Sequence, residues 1–154
     1  MADMTPVMQQ YLDIKKEHDD AILFFRMGDF YEMFFDDAKI AAQELGLTLT
    51  TRDKNKKDPV PMAGIPYHAV NGYLTKLLRA GYKVAVCEQT TLPGKTKGPL
   101  KREVLQVVTP GTVMGEESLD SGSNNFLAAV CLDGGTAGIA MADLSTGEFL
   151  AGEI

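Results

Sequence analysis

Cysteine, histidine and long apolar runs are all scarce in this sequence, and each scarcity excludes a class of protein. The two cysteines, Cys87 and Cys131, are too few and too far apart for a disulfide framework or a zinc-ligand spacing. A reducing, cytoplasmic setting follows as the simplest expectation. His18 and His68 lie 50 positions apart with no ligand cluster beside either, so no metal site is expected. No apolar run approaches the roughly 20 residues that span a bilayer, so no membrane association is expected. The first 20 residues lack a basic segment followed by an apolar one, the pattern of a secretory signal. Residues 111–154 contain no lysine or arginine at all, against seven acids.

What is present is an ordinary globular composition, 45% apolar, in 154 residues: room for one domain, or one domain and part of another. The formal net charge of −6 argues against a generic polyanion binder. Its distribution points the other way. Residues 1–50 carry four basic and ten acidic side chains, whereas residues 51–110 carry eleven basic and four acidic. A basic middle between acidic flanks suits a partner of opposite charge, or an unevenly decorated solvated surface.

Thr5-Pro6 is an N-cap and first-turn proline, and Val7, Tyr11 and Ile14 follow at helical spacing, predicting a helix over 6–18. AILFFRM (21–27) and FYEMFF (30–35) are apolar runs of strand length around Gly28-Asp29, a two-residue type II′ hairpin turn. Asp36-Asp37 is expected to cap a helix over 37–45 that Gly46 ends. Strands are predicted at 47–51, 61–65, 82–89 and 104–109, and a helix at 70–80. Stretches 52–58 and 90–100 are basic loops. PGTVMGEESLDSGSN, rich in Gly, Ser and acids, is a linker, and three strand-like runs after it form the start of a β-meander. Three strands bury little surface alone, so a fragment of a longer protein is expected. The expected fold is α+β: a mixed sheet flanked by about three helices in residues 1–112, a linker over 113–125, and a partial meander of a second domain over 126–154.

On the return strand of the hairpin, Phe30 and Glu32 project to one face and Tyr31 to the other. An aromatic wedge beside a carboxylate could unstack a base step, a cost of a few kcal/mol that is lowest where pairing is already defective. Near phosphates a carboxylate is tolerable only if it accepts from a base N–H, or is protonated and donates. The plainer alternative makes Phe30 a core residue and Glu32 a rim acid. Arg52, Lys54, Lys56 and Lys57 in one loop, and Lys95, Lys97, Lys101 and Arg102 around another, could hold DNA phosphates or simply solubilise their loops.

Catalytic readings fare worse. Gly94-Lys95-Thr96 resembles the end of a P-loop, but Gln89 occupies the position of its first glycine. Asp29, Glu32, Asp36 and Asp37 could hold Mg²⁺ in a nuclease, although the last two suit a helix start better. Cys87, in mid-strand, has the setting of a structural residue. No catalytic residue is assigned.

FFRMGDFYEMFFDDA, PVPMAGIPYHAV, AVCEQ and VVTPGT, in this order, closely resemble the N-terminal mismatch-recognition domain of MutS-family DNA mismatch-repair proteins, over about residues 5–113. NNFLAAV and ADLSTGEF resemble the start of that family's connector domain. The resemblance implies recognition of mismatched or unpaired bases in double-stranded DNA, with Phe30 inserting from the minor groove and Glu32 hydrogen-bonding the mismatched base. It implies further DNA-binding positions at Arg52, Met62 and His68. The 53–58 loop is a variable insertion in the family, so its lysines are not carried over. The resemblance also implies a domain without catalysis or cofactor of its own, inside a longer homodimeric ATPase that uses ATP and Mg²⁺ and works with a MutL-type partner. Two other classes stay open on the residues alone: a metal-dependent nuclease built on the acidic hairpin, and a structural protein-interaction domain.

Overall fold

The structure is a computed structural model that describes residues 5–53, 58–91, 100–112 and 124–154. The chain divides into two compact units, Met1–Thr112 and Val113–Ile154.

The first unit opens with helix α1 (Pro6–Glu17), where Thr5 holds an extended N-cap conformation and its hydroxyl accepts from Met8 N at 3.4 Å. Strands β1 (Ala21–Met27) and β2 (Phe30–Phe34) form the expected hairpin. Helix α2 (Phe35–Leu45) follows with no residue between, because Phe35 turns the corner at φ 54°. Strands β3 (Thr50–Arg52) and β4 (Val60–Pro66), a 3-10 turn (Tyr67–Ala69), helix α3 (Val70–Arg79), and strands β5 (Lys83–Gln89) and β6 (Arg102–Val108) complete it. Among the described residues six strands make one mixed sheet in the order β3-β4-β2-β1-β5-β6, with β1 and β5 parallel and the other neighbours antiparallel. The architecture is therefore the expected mixed sheet with three helices. Among the described residues no helix is long and apolar enough to cross a membrane.

β1 is the centre of the core. Ala21 to Phe25 are all buried, so its residues pack on both faces of the sheet. Leu23, Phe25 and Phe34 lie on the face covered by Met8 and Tyr11 of α1. The Tyr11 ring meets Phe25 and Phe34 edge to face, with centroids 5.4 and 4.9 Å away. Ile22, Phe24, Tyr31 and Met33 alternate to the other face and are equally buried. Burying each such side chain contributes roughly 2–3 kcal/mol before entropy is counted.

Two elements differ from the sequence expectation. Asp37 does not cap α2: the N-cap is Phe34, and no side chain closes the turn. Asp37 is instead buried within the core, where it accepts from Tyr11 Oη (3.0 Å), Leu23 N (2.9 Å) and Lys15 Nζ (2.9 Å). Burial beside this carboxylate pushes the Tyr11 hydroxyl far above its usual range. The strand expected at 47–51 begins at Thr50, since pairing with β4 runs only from Thr50↔Met62 to Arg52↔Val60. Residues 54–57 and 92–99, with most of the two basic loops and the P-loop-like triplet, lie outside the described residues, as does 113–123 of the expected linker.

The second unit contains strands β7 (Phe126–Asp133), β8 (Thr136–Asp143) and β9 (Phe149–Glu153) in an antiparallel meander. Asp143 closes its second turn, accepting from Asn125 N, Ser145 N and Thr146 Oγ1. These bonds hold its carboxyl below the ordinary range.

Candidate functional site

The β1–β2 hairpin presents Phe30 at its tip. Met27 and Phe30 face each other across a two-residue loop, and Gly28 supplies the positive φ of 59° that a side chain would resist. Both loop carbonyls are occupied: Arg26 Nε donates to Gly28 O at 2.6 Å, and Tyr67 N donates to Asp29 O at 2.9 Å. Phe30, flanked by Met27 and Pro66, is 48% exposed, so the core alternative for it falls.

Glu32 lies two residues on, paired with Phe25 on β1 and Gly64 on β4. Strand alternation puts it on the face of Phe30. Its side chain is 22% exposed, with Arg52 Nη1 3.8 Å from Oε2. That is an ion pair too long for a hydrogen bond, and Oε2 is shut off from solvent with no hydrogen-bond partner. Burial raises the carboxyl above its ordinary pKa, and the charges of Arg52 and Arg102 only partly offset this.

Tyr31 turns to the opposite face, where its hydroxyl donates to Glu88 Oε1. Burial, reinforced by that carboxylate, pushes the Tyr31 hydroxyl to about 12. Arg26 stacks on the Tyr67 ring at 4.0 Å and faces the Tyr31 ring at 5.4 Å, with Glu88 Oε2 3.7 Å from its Nη1.

The register places four of the five expected site residues on one sheet face. Met62 pairs with Phe34 and with Thr50, and Arg52 pairs with Val60. Directly paired residues share a face, so Phe30, Glu32, Met62 and Arg52 stand together. Met62 is partly sunk against the core, and the Arg52 guanidinium lies 5.7 Å from the Phe34 ring centre. His68 stands apart on the 3-10 turn beyond β4, exposed and edge-on to Tyr67.

The second basic cluster needs correction. Arg102 is not a loop cation but the first residue of β6, and it is only 7% exposed. Its guanidinium donates to Arg26 O (2.6 Å), Gln10 Oε1 (3.0 Å) and Leu100 O (3.0 Å), and stacks on Phe25 at 4.8 Å. Such a group cannot reach a phosphate. Lys101 is exposed but paired with Glu103 at 2.6 Å.

The hairpin acids are dispersed. Asp29 is exposed at the turn, Asp36 pairs with Lys39 at 2.8 Å, and Asp37 is committed to the core. Among the described residues no three His, Cys, Asp or Glu side chains group as a metal site. Cys87 is buried, and its thiol is pushed up to about 12 chiefly by that burial, which removes the thiolate a nucleophile needs.

Sequence reasoning missed Arg26, Tyr67 and Gly64. A charged residue near the end of the apolar run AILFFRM was a usable signal for Arg26. Gly64 shows its importance only through the β2–β4 register.

Residues 5–117 match the family MutS_I, described as MutS domain I. The chain is 58% identical over its whole length to the DNA mismatch repair protein MutS of Syntrophomonas wolfei, and 55% identical over 151 residues to that of Bacillus subtilis. It is 56% identical over 149 residues to the MutS of Dehalococcoides mccartyi. These alignments cover 97–100% of the chain and 17–18% of each relative, so the chain spans less than a fifth of the length of these relatives.

Proposed function

Because the chain belongs to the MutS family and carries its domain I, we propose that it reads defective base pairs in double-stranded DNA for mismatch repair, Phe30 serving as the wedge and Glu32 as the checking group. The observation that carries this reading is the pairing of an exposed ring with a hydrogen-bond-deficient carboxyl on one sheet face. An apolar ring driven into a base step is stabilised where stacking and pairing are already weak. Glu32 then completes the selection. Its orphaned Oε2 lacks a donor in the free protein, and its raised pKa makes a protonated, donating carboxyl accessible next to a base. A base edge offering neither donor nor acceptor leaves that group unsatisfied, which penalises the wrong partner.

Arg52, Met62 and His68 are assigned supporting contacts, Arg52 also holding the Glu32 carboxyl on the face. The chain acts as a binding module in the cytoplasm. ATP and Mg²⁺ use, dimerisation and engagement of a MutL-type partner are assigned to the longer protein.

The test is a pair of affinities measured at fixed salt with the full-length protein: one for a duplex with a single mismatch, one for its matched counterpart. Phe30→Ala is expected to erase the difference between them. A variant that still prefers the mismatched duplex refutes the wedge.

A further inference from the structure

We infer that Arg26 is the positioning residue that sets the stance of the Phe30 ring, an inference that rests on the wedge reading above. Phe30 is the first residue after the two-residue turn Gly28-Asp29, at the last register pair of the hairpin, and glycine is the residue least able to hold a fixed conformation by itself. The rigidity of the turn must come from outside it, and Arg26 is where its restraints converge.

Four contacts make the case. Arg26 Nε donates to Gly28 O at 2.6 Å, pinning the first turn residue. The guanidinium plane lies 4.0 Å from the centre of the Tyr67 ring, and the backbone N of that tyrosine donates to Asp29 O, the second turn carbonyl. Glu88 Oε2, 3.7 Å from Nη1, orients the fork from β5, while Arg102 Nε donates to Arg26 O and fixes its backbone. One planar cation on β1 therefore touches Gly28 of the turn, Tyr67 just beyond β4, and Glu88 of β5, with Asp29 held by the same tyrosine. Lysine would keep the charge facing Glu88, but it has neither the Nε donor nor the flat face that stacks on Tyr67.

Arg26 projects to the face of Tyr31, its register partner, and not to the face of Phe30 and Glu32. Its influence on recognition is accordingly indirect, and three measurements separate it from a phosphate contact or a general stabiliser.

In the full-length protein, Arg26→Lys and Arg26→Met are expected to lower the ratio of single-mismatch to matched-duplex affinity about tenfold. Matched-duplex affinity and its salt slope should stay as in the wild type. Tyr67→Leu, at a half-exposed site that does not threaten folding, should lower the same ratio. A 4-fluorophenylalanine at position 30 should give a shifted or broadened ¹⁹F resonance in the Arg26→Lys protein. Folding is checked by thermal melting, and if Arg26→Met does not fold, Arg26→Lys and Tyr67→Leu decide. The inference is overturned if Arg26→Lys retains the full ratio, if both affinities fall equally, or if the salt slope drops by about one, the mark of a lost phosphate contact. Phe30→Ala measured alongside keeps the two ideas apart. If it leaves the ratio intact, the wedge reading itself fails. If it abolishes the ratio while Arg26→Lys does not, only the positioning role of Arg26 fails.

Discussion

Glu32 on β2 faces Gly64 on β4 in register, so the cross-strand neighbour of the carboxyl on that side has no side chain. A Cβ at position 64 would sit 3.8 Å from Glu32 Cγ and 3.6 Å from Tyr31 O, which is ordinary contact. Gly64→Ala should therefore fold, gaining up to about 0.5 kcal/mol from reduced freedom of the unfolded chain. Gly64→Leu would fill the space flanking the carboxyl. It should keep the melting temperature near that of the wild type while weakening mismatched-duplex affinity about tenfold, as read by titration at fixed salt.

Phe30→Ala should barely change stability. The ring is half exposed, and truncations at such sites lie within about 0.5 kcal/mol. Base–aromatic stacking is worth about 1–3 kcal/mol, so mismatched-duplex affinity should fall roughly tenfold or more while matched-duplex affinity holds. Thermal melting and duplex titration together check this.

Glu32→Gln should stabilise the fold in a pH-dependent way. Burial raises the folded pKa of Glu32 above its unfolded value. The stability the protonated group provides is therefore fully present below the unfolded value and lost as pH rises through the folded one. Glutamine does not titrate. Melting curves should show the variant gaining on the wild type as pH climbs through the carboxylate range, the gain closing below the ordinary value of 4.5. A gap that is constant with pH would contradict it.

Arg102→Gln should cost stability rather than DNA affinity per charge. The substitution removes a stack on Phe25 and the short 2.6 Å bond to Arg26 O, which keeps only the 3.5 Å bond from Gln89 Nε2. A loss of about 2–3 kcal/mol in denaturant unfolding is expected. The salt slope of matched-duplex binding should be unchanged, in contrast to the one-charge reduction expected at a true phosphate contact.

Asp37→Ala should be more damaging still, near 3 kcal/mol, because Tyr11 Oη, Leu23 N and Lys15 Nζ all lose an acceptor in or beside the core. Chemical denaturation measures it.

How far the sequence alone reached depended on whether a feature was local. The hairpin was legible because Gly28-Asp29 interrupts two apolar runs, and the α1 boundary because Thr5-Pro6 is a local cap. Strand alternation was enough to set Phe30 and Glu32 against Tyr31. Asp37 was misjudged because two adjacent acids before a helical stretch look like a cap, whereas its partners Tyr11 and Leu23 are distant in sequence and arrive only by tertiary packing. Arg102 was misjudged for a similar reason. Its neighbours in sequence are basic and polar, but its partners Gln10, Phe25 and Arg26 lie on other elements. The start of β3 slipped by three residues because a short strand is defined by its partner β4 rather than by its own alternation.

The strand beside Phe30, β1, is paired on both sides and buried along most of its length. A load on the Phe30 ring passes through the Met27–Phe30 pairing into that strand and from there into the middle of the sheet. The backbone behind the ring is thus a strand held from two sides. On the proposed reading, a duplex pressed against that ring would have to yield first, and its readiness to bend would set the response.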